Sequence, residues 1–295
     1  LVVNSGGGTQ ILSTNTNGPA NYALYVNGNT TPIHTQNNTT FYSGYLFSNL
    51  TENQYCELVV TQGSSSITKT FMIVVNTTIN AAVPSGMVDG INYHSSDDTK
   101  ATLVLNAPGK DFVYVAGSFN SYTPTSVYAM KQDATSGKFW FELSGLTSGD
   151  VETYQYWVGD LSPVTDSPKL VKTADPFSTL VLSPFDDPWI SESTFPGLST
   201  TYSYPSGQDR EVTVLQTGQT AYNWQVTNFT KPKKEDLVIY EVLIRDFDTD
   251  RNFQDLIDKI DYFKDLNINA IELMPIMEYE GNESWGYNTA FHMAL

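Results

Sequence analysis

Apolar residues in the first 80 positions fall into short runs that alternate with polar ones, at residues 22–26, 40–47 and 55–60. Successive side chains of an extended chain point to opposite faces, so each run predicts a half-buried strand. Residues 55–61 and 67–75, joined across Gln62-Gly63-Ser64-Ser65, read as a hairpin. Cys56 alternates in phase with Leu58 and Val60, which makes it a small core residue rather than a reactive thiol. Residues 1–80 therefore predict a small Ig-like sandwich. After Pro84-Ser85-Gly86 the strand-like runs resume at 101–105, 112–116, 139–143 and 154–158. Turn signals at Ala107-Pro108-Gly109, Ser136-Gly137 and Thr147-Ser148-Gly149 separate them with antiparallel spacing, and predict a second sandwich over 81–190.

Residues 185–234 are rich in Pro, Ser, Thr and Tyr and hold one strand-like run, 211–216. Their aromatic content predicts an ordered connector, bounded at 191–235 and packed by Trp189 and Trp224. At Asp236 the period changes. Residues 237–244 are a continuous apolar run; Phe253, Leu256, Ile257, Ile260, Phe263 and Leu266 recur at helical spacing; residues 268–274 are a second apolar strand. This is a β-α-β unit, with Asn252 as helix N-cap and Asn267 as a left-handed stop. Its crossover should be right-handed and its strands parallel. A lone unit cannot cover both faces of two apolar strands, so 236–295 reads as the truncated opening of a larger domain. A closed (β/α)8 barrel takes about 250 residues, most of which would lie beyond Leu295. The expected fold class is mainly β: two sandwiches followed by an incomplete barrel.

Composition narrows the partners. The 295 residues carry 15 Lys and Arg against 32 Asp and Glu, a formal net charge of −17, which repels nucleic-acid backbones and anionic membrane surfaces. No apolar run is long enough to span a membrane. Aromatics at 13% against 16% charged residues suit an extracytoplasmic, carbohydrate-facing protein, secreted, periplasmic or at the cell surface. A single Cys excludes an internal disulfide. His34, His94 and His292 are scattered, and Asp97-Asp98 lacks the further oxygens calcium needs, so no metal site is expected.

Three motifs then carry a resemblance. Asp236-Leu237-Val238-Ile239-Tyr240-Glu241-Val242-Leu243-Ile244-Arg245-Asp246-Phe247, Ala270-Ile271-Glu272-Leu273-Met274-Pro275-Ile276 and Ser284-Trp285-Gly286-Tyr287-Asn288 resemble the first two barrel strands and following loop of the alpha-amylase superfamily of glycoside hydrolases. Val113-Tyr114-Val115-Ala116-Gly117-Ser118-Phe119-Asn120 and Ala174-Asp175-Pro176-Phe177-Ser178 are similar to the early-set sandwich that precedes the barrel in branching enzymes, isoamylases, pullulanases and several amylases. The resemblance covers roughly 85–295. It implies cleavage or transfer of α-glucosidic bonds with retention by an Asp nucleophile, a Glu acid/base and a second Asp. In the family these lie on strands four, five and seven, so no catalytic residue is expected in this chain, which should itself be inactive. Glu272, Glu278, Glu280 and Glu283 match no family catalytic position and read as an acidic surface patch.

The resemblance implies that Tyr287 stacks on the sugar ring at the cleavage subsite, with Trp285 a further candidate beside it; the alternative reading is that both rings pack the loop. On the early-set sandwich Tyr122, Trp140 and Trp157 are weaker candidates for a glucan surface; Tyr122 stands where the family's binders have Trp, and Gln155 where they often have Lys. The expected ligand is an α-glucan. No cofactor is expected in this chain, although amylases often bind calcium elsewhere. Hydrolysis of α-1,4-glucans leads, branching or debranching is the first alternative, and a non-catalytic glucan-binding or structural module is the second. Uncovered barrel strands would favour self-association.

Overall fold

The computed structural model describes residues 1–281 and 283–295 and is mainly β. The chain begins with β1 (Val2–Asn4), β2 (Gly7–Thr14), β3 (Ala20–Val26), β4 (His34–Thr39), β5 (Phe41–Leu50), β6 (Gln54–Gln62) and β7 (Ser65–Asn76). It continues through β8 (Gly90–Tyr93), β9 (Lys100–Asn106), β10 (Phe112–Gly117), β11 (Lys131–Gln132), β12 (Lys138–Ser144), β13 (Val151–Gly159), β14 (Leu170–Thr173), β15 (Val181–Leu182) and β16 (Val212–Gln216). The last part holds β17 (Ile239–Val242), α1 (Ile244–Phe247), α2 (Phe253–Asp258), α3 (Ile260–Asp265), β18 (Ala270–Leu273), β19 (Glu278–Tyr279) and β20 (Thr289–Phe291). Leu1–Met87, Val104–Phe141 and Tyr156–Thr173 form one compact unit; Val88–Leu103, Glu142–Gln155 and Ala174–Leu295 form the other.

In the first unit, one sheet has the order β1-β7-β6-β3-β4, with β1 parallel to β7, and β2 pairs with β5 in another. Both sheets contribute to a single core: Ile11, Tyr42 and Phe47 meet Tyr22, Leu24, Leu58 and Ile73. The alternation read from the sequence is the alternation of burial, since Tyr22, Leu24 and Val26 are buried while the residues between them are not. The expected hairpin is present. Gln62 pairs with Ser65, and Gly63 takes the positive φ of 58° that a two-residue turn needs. Cys56 is buried in this core, and desolvation pushes its thiol up to about 11, so it stays neutral.

Polar contacts, the Tyr114–Val75 bond fully buried among them, tie the end of β7 to β10 and to the segment at 124–126. The Tyr114 hydroxyl donates to the Val75 carbonyl at 2.7 Å and meets Thr77 Oγ1 at 2.7 Å. Asn53 accepts from the Val75 amide and donates to the Pro124 carbonyl, both at 2.8 Å. The Glu52 carboxylate takes the Ser126 hydroxyl at 2.6 Å. Burial pushes the Tyr114 phenol up to about 12, so its proton is available for that bond at every ordinary pH.

In the second unit the first half of β13 pairs antiparallel with β16, and β16 with β15. Asp175 binds to two strands of this sheet: its carboxylate accepts the Tyr154 hydroxyl and the Phe177 amide at 2.8 Å each, and its amide donates to Thr213 Oγ1 at 2.7 Å. Further along, β17 and β18 pair in parallel from Ile239↔Ala270 to Val242↔Leu273. The intervening helix packs Leu256 and Phe263 against Val242, and Tyr240, Ile244, Phe247 and Ile268 close the cluster. Asn252 caps the helix, accepting from the Asp255 amide at 3.1 Å, and Asn267 stops it at φ 58°. The helix is not continuous as its apolar spacing predicted, because Lys259, at φ −101° and ψ 13°, divides it into α2 and α3. The first apolar strand also ends early, with Ile244 already in α1. Trp189 and Trp224, expected to pack the connector, are 72% and 73% exposed. The Trp224 ring instead meets Tyr222 edge-on at 5.0 Å. Among the described residues no helix is long and apolar enough to cross a membrane.

The tie at Tyr114 yields a testable consequence. Tyr114→Phe keeps the ring and leaves the Val75 carbonyl without its donor, and should lower the unfolding free energy by about 1–3 kcal/mol. Urea unfolding checks it; an unchanged midpoint and slope would mean the hydroxyl contributes nothing.

Candidate functional site

Because β17 and β18 run parallel, the segments that come after them leave from the same end of the pair. Arg245 lies just past β17, in α1. Its Nε and Nη2 hold the two oxygens of Asp246 at 2.9 and 3.1 Å, and its Nη1 donates to the Ser284 carbonyl at 2.8 Å. That fork raises the Arg245 guanidinium's pKa and lowers that of Asp246.

Ser284 begins a tightly bonded loop between β19 and β20. Its hydroxyl bonds Asn288 Oδ1 and accepts the Gly286 amide at 2.9 Å, while Asn288 Nδ2 donates to the Glu280 carbonyl at 2.7 Å. Gly286 has a positive φ of 89°, and a Cβ there would collide with the Pro275 carbonyl just past β18. On either side of this glycine, Trp285 and Tyr287 are 65% and 69% exposed. The loop is thus fixed at its backbone and open at its rings.

Beside it, in the same unit, lies a cleft of about 620 Å³ whose lining includes Trp189, Phe195, Tyr202, Arg245, Phe253 and Glu278. Phe195 and Tyr202 stack at 5.6 Å. Glu192 shapes that wall: its carboxylate accepts the Ser199 hydroxyl and, at 2.8 Å each, the Gly197 and Ser199 amides, and these bonds, the hydroxyl's first, hold its pKa below the usual range. Asn252 joins the wall to the helix start, donating to the Ser193 carbonyl at 2.8 Å. Aromatic faces with a few fixed polar groups suit a neutral, hydroxyl-rich ligand.

The acidic residues do not behave as one patch. Glu272, Glu280 and Glu283 are exposed, but Glu278 is partly buried and its pKa is pushed up to about 7, first by desolvation and then by Asp186, Asp187 and Glu211. Asp187 rises to about 6 by burial, against the opposing bond from the Ser183 amide. Among the described residues no group of three or more His, Cys, Asp or Glu is placed to hold a metal ion.

Of the aromatic residues singled out in the sequence, the structure brings Trp285 and Tyr287 to the surface and buries the other three. Tyr122 is buried at a positive φ of 54°. Trp140 is buried with its indole N–H donating to the Ala81 carbonyl at 2.9 Å and Lys131 4.3 Å from its ring centre. Trp157 is buried with Lys172 5.1 Å from its ring centre. Tyr122, Trp140 and Trp157 therefore form no stacking platform: their faces are covered by protein. The sequence gives no sign of the cleft, since its walls come from segments as far apart as Thr179 and Leu295 and no local pattern links them.

Glu278 sets a pH dependence. Its folded value of about 7 lies above the 4.5 of an ordinary glutamate, so the folded chain keeps a proton that the unfolded chain releases. Stability from this group is complete below 4.5 and is lost as pH rises through about 7. Glu278→Gln should remove that loss, on the order of 2–3 kcal/mol across the window. Urea midpoints of both proteins measured against pH test this; parallel profiles would disprove it.

No family model matches the chain. It is 40% identical over 74 residues to the malto-oligosyltrehalose trehalohydrolase of Saccharolobus solfataricus, covering 25% of this chain and 13% of that enzyme. It is 27% identical over 190 residues to the 1,4-alpha-glucan branching enzyme of Hydrogenovibrio crunogenus, covering 62% of this chain and 22% of that one. The chain thus spans about an eighth to a fifth of these relatives. In fold it aligns along its whole length with 40% of the Group B Streptococcus pullulanase SAP, at a TM-score of 0.52 and 15% identity. The sequence matches relate this chain to the alpha-amylase superfamily of glycoside hydrolases, and the pullulanase likeness is one of fold.

Proposed function

We propose that the chain is the N-terminal part of a secreted glycoside hydrolase that acts on α-1,4-glucans with retention, and that its own share in that work is to hold the sugar. On this reading β17, the helix and β18 open a (β/α)8 barrel, and the carboxylates that cleave the bond belong to later strands. The observation that carries it is the loop at 284–288, where two exposed rings sit on a backbone fixed by hydrogen bonds. A glucose ring has an apolar face that matches an aromatic face, and a fixed loop offers it without an ordering penalty. The adjoining cleft adds further rings and polar groups for neighbouring sugar units. Branching or debranching chemistry is a second reading, favoured by the similarity to a branching enzyme over 62% of this chain.

Affinity electrophoresis in starch gels tests the binding. The chain should be retarded in proportion to glucan concentration and with little sensitivity to salt, since the sugar is neutral. Tyr287→Ala should weaken retardation about fivefold, for a loss of about 1 kcal/mol of stacking. Equal retardation of the two proteins would refute the assignment of Tyr287. The purified 295-residue chain should release no reducing sugar from starch, because on this reading the carboxylates that cleave the bond belong to later strands. Activity that co-elutes with the chain would overturn that part of the proposal.

A further inference from the structure

The loop that presents Trp285 and Tyr287 has two anchors outside itself. One is the close approach of Gly286 to the Pro275 carbonyl, at the end of β18. The other is Arg245, just past β17, whose Nη1 donates to the Ser284 carbonyl at 2.8 Å. Asp246 orients the guanidinium, accepting from its Nε and Nη2 at 2.9 and 3.1 Å. That leaves Nη1 pointing in one direction. The carbonyl it meets belongs to the residue whose hydroxyl organises the rest of the loop, through the Gly286 amide and Asn288. Arg245 also lines the cleft, so the same side chain borders both surfaces offered to a sugar.

We infer that Arg245 is a positioning residue for saccharide binding: its guanidinium, oriented by Asp246, sets the Ser284 turn and through it the rings of Trp285 and Tyr287. The inference rests on the proposed role of those rings as a sugar platform. It asks for a guanidinium specifically. Three of its N–H groups are used in a planar fork, two on one carboxylate and one on the carbonyl beyond, and a lysine ammonium cannot span both partners. Charge alone is therefore not enough.

The test uses the full chain labelled with 5-fluorotryptophan, the Trp285 resonance being assigned by its disappearance in Trp285→Phe. In Arg245→Ala and Arg245→Lys that resonance should shift and sharpen towards that of a mobile indole. Addition of methylguanidinium should restore it in Arg245→Ala. Maltoheptaose titrations should show both variants weakened about tenfold, a loss of about 1.4 kcal/mol, with methylguanidinium recovering affinity in Arg245→Ala and not in Tyr287→Ala. A variant that had merely unfolded would not respond to methylguanidinium, and that result would overturn the inference. So would an unchanged Trp285 resonance in Arg245→Ala, or a displaced resonance with unchanged affinity. If the resonance behaves as expected while the unaltered chain fails to bind maltoheptaose, the sugar-platform reading fails and Arg245 stands only as the residue that sets the loop.

Discussion

Parallel pairing of β17 with β18 is the constraint on which the candidate site depends. Two parallel strands cannot be joined by a tight turn, so the chain must cross back, and it does so with a helix that buries Leu256 and Phe263 on Val242. The crossover brings both strand ends to one side. Arg245 leaves the first strand there and Met274-Pro275 leaves the second, although thirty positions separate them in sequence. The loop at 284–288 can then be held from both, by a guanidinium on one side and a close backbone contact on the other.

The same pair shows where local energy is concentrated. One face is closed by a cluster of rings, with Tyr240 5.1 Å from Phe263 and Phe247 stacked on Phe263 at 5.7 Å. Elsewhere on these elements Ile239, Ile257, Ile271 and Leu273 are exposed. Aromatic side chains remove the most area from water per residue, which is how so short an assembly gains a buried centre from few positions. Its register is fixed by that centre: a one-residue slip of β17 would turn Val242 outward and bring Glu241 against Phe263.

Regular elements could be read from the sequence wherever burial alternates or recurs. The positions of β3, β6, β7, β9, β10, β12, β13 and β16 come from periodicity, and the Asn252 cap and Asn267 stop come from side-chain chemistry. The two-residue strands β11, β15 and β19 could not be read, since a period needs more residues than they have. The break at Lys259 has no Pro or Gly to announce it. Aromatic content misled in the connector, because composition says nothing of which side a ring faces: Trp189 and Trp224 point outward. Glu278 looked like its exposed neighbours Glu280 and Glu283, and only the fold sets it against Asp186, Asp187 and Glu211.

The fate of the aromatic residues also bears on where a sugar could be held. Most rings in the strands are drawn inward, because a pleated surface with one buried face offers them more area than water does. Trp140 completes that burial by giving its indole N–H to a carbonyl, and both Trp140 and Trp157 have a lysine placed over the ring. A ring so covered has no free face. In the loop after β19 the backbone satisfies itself through Ser284, Asn288 and Glu280, and Gly286 occupies the point of closest approach. Trp285 and Tyr287 are largely exposed there. On the proposed reading, recognition of a flat apolar ligand falls to these loop residues, whose Ser284 carbonyl takes the Arg245 guanidinium and whose Gly286 lies against the Pro275 carbonyl, both at the ends of the two parallel strands.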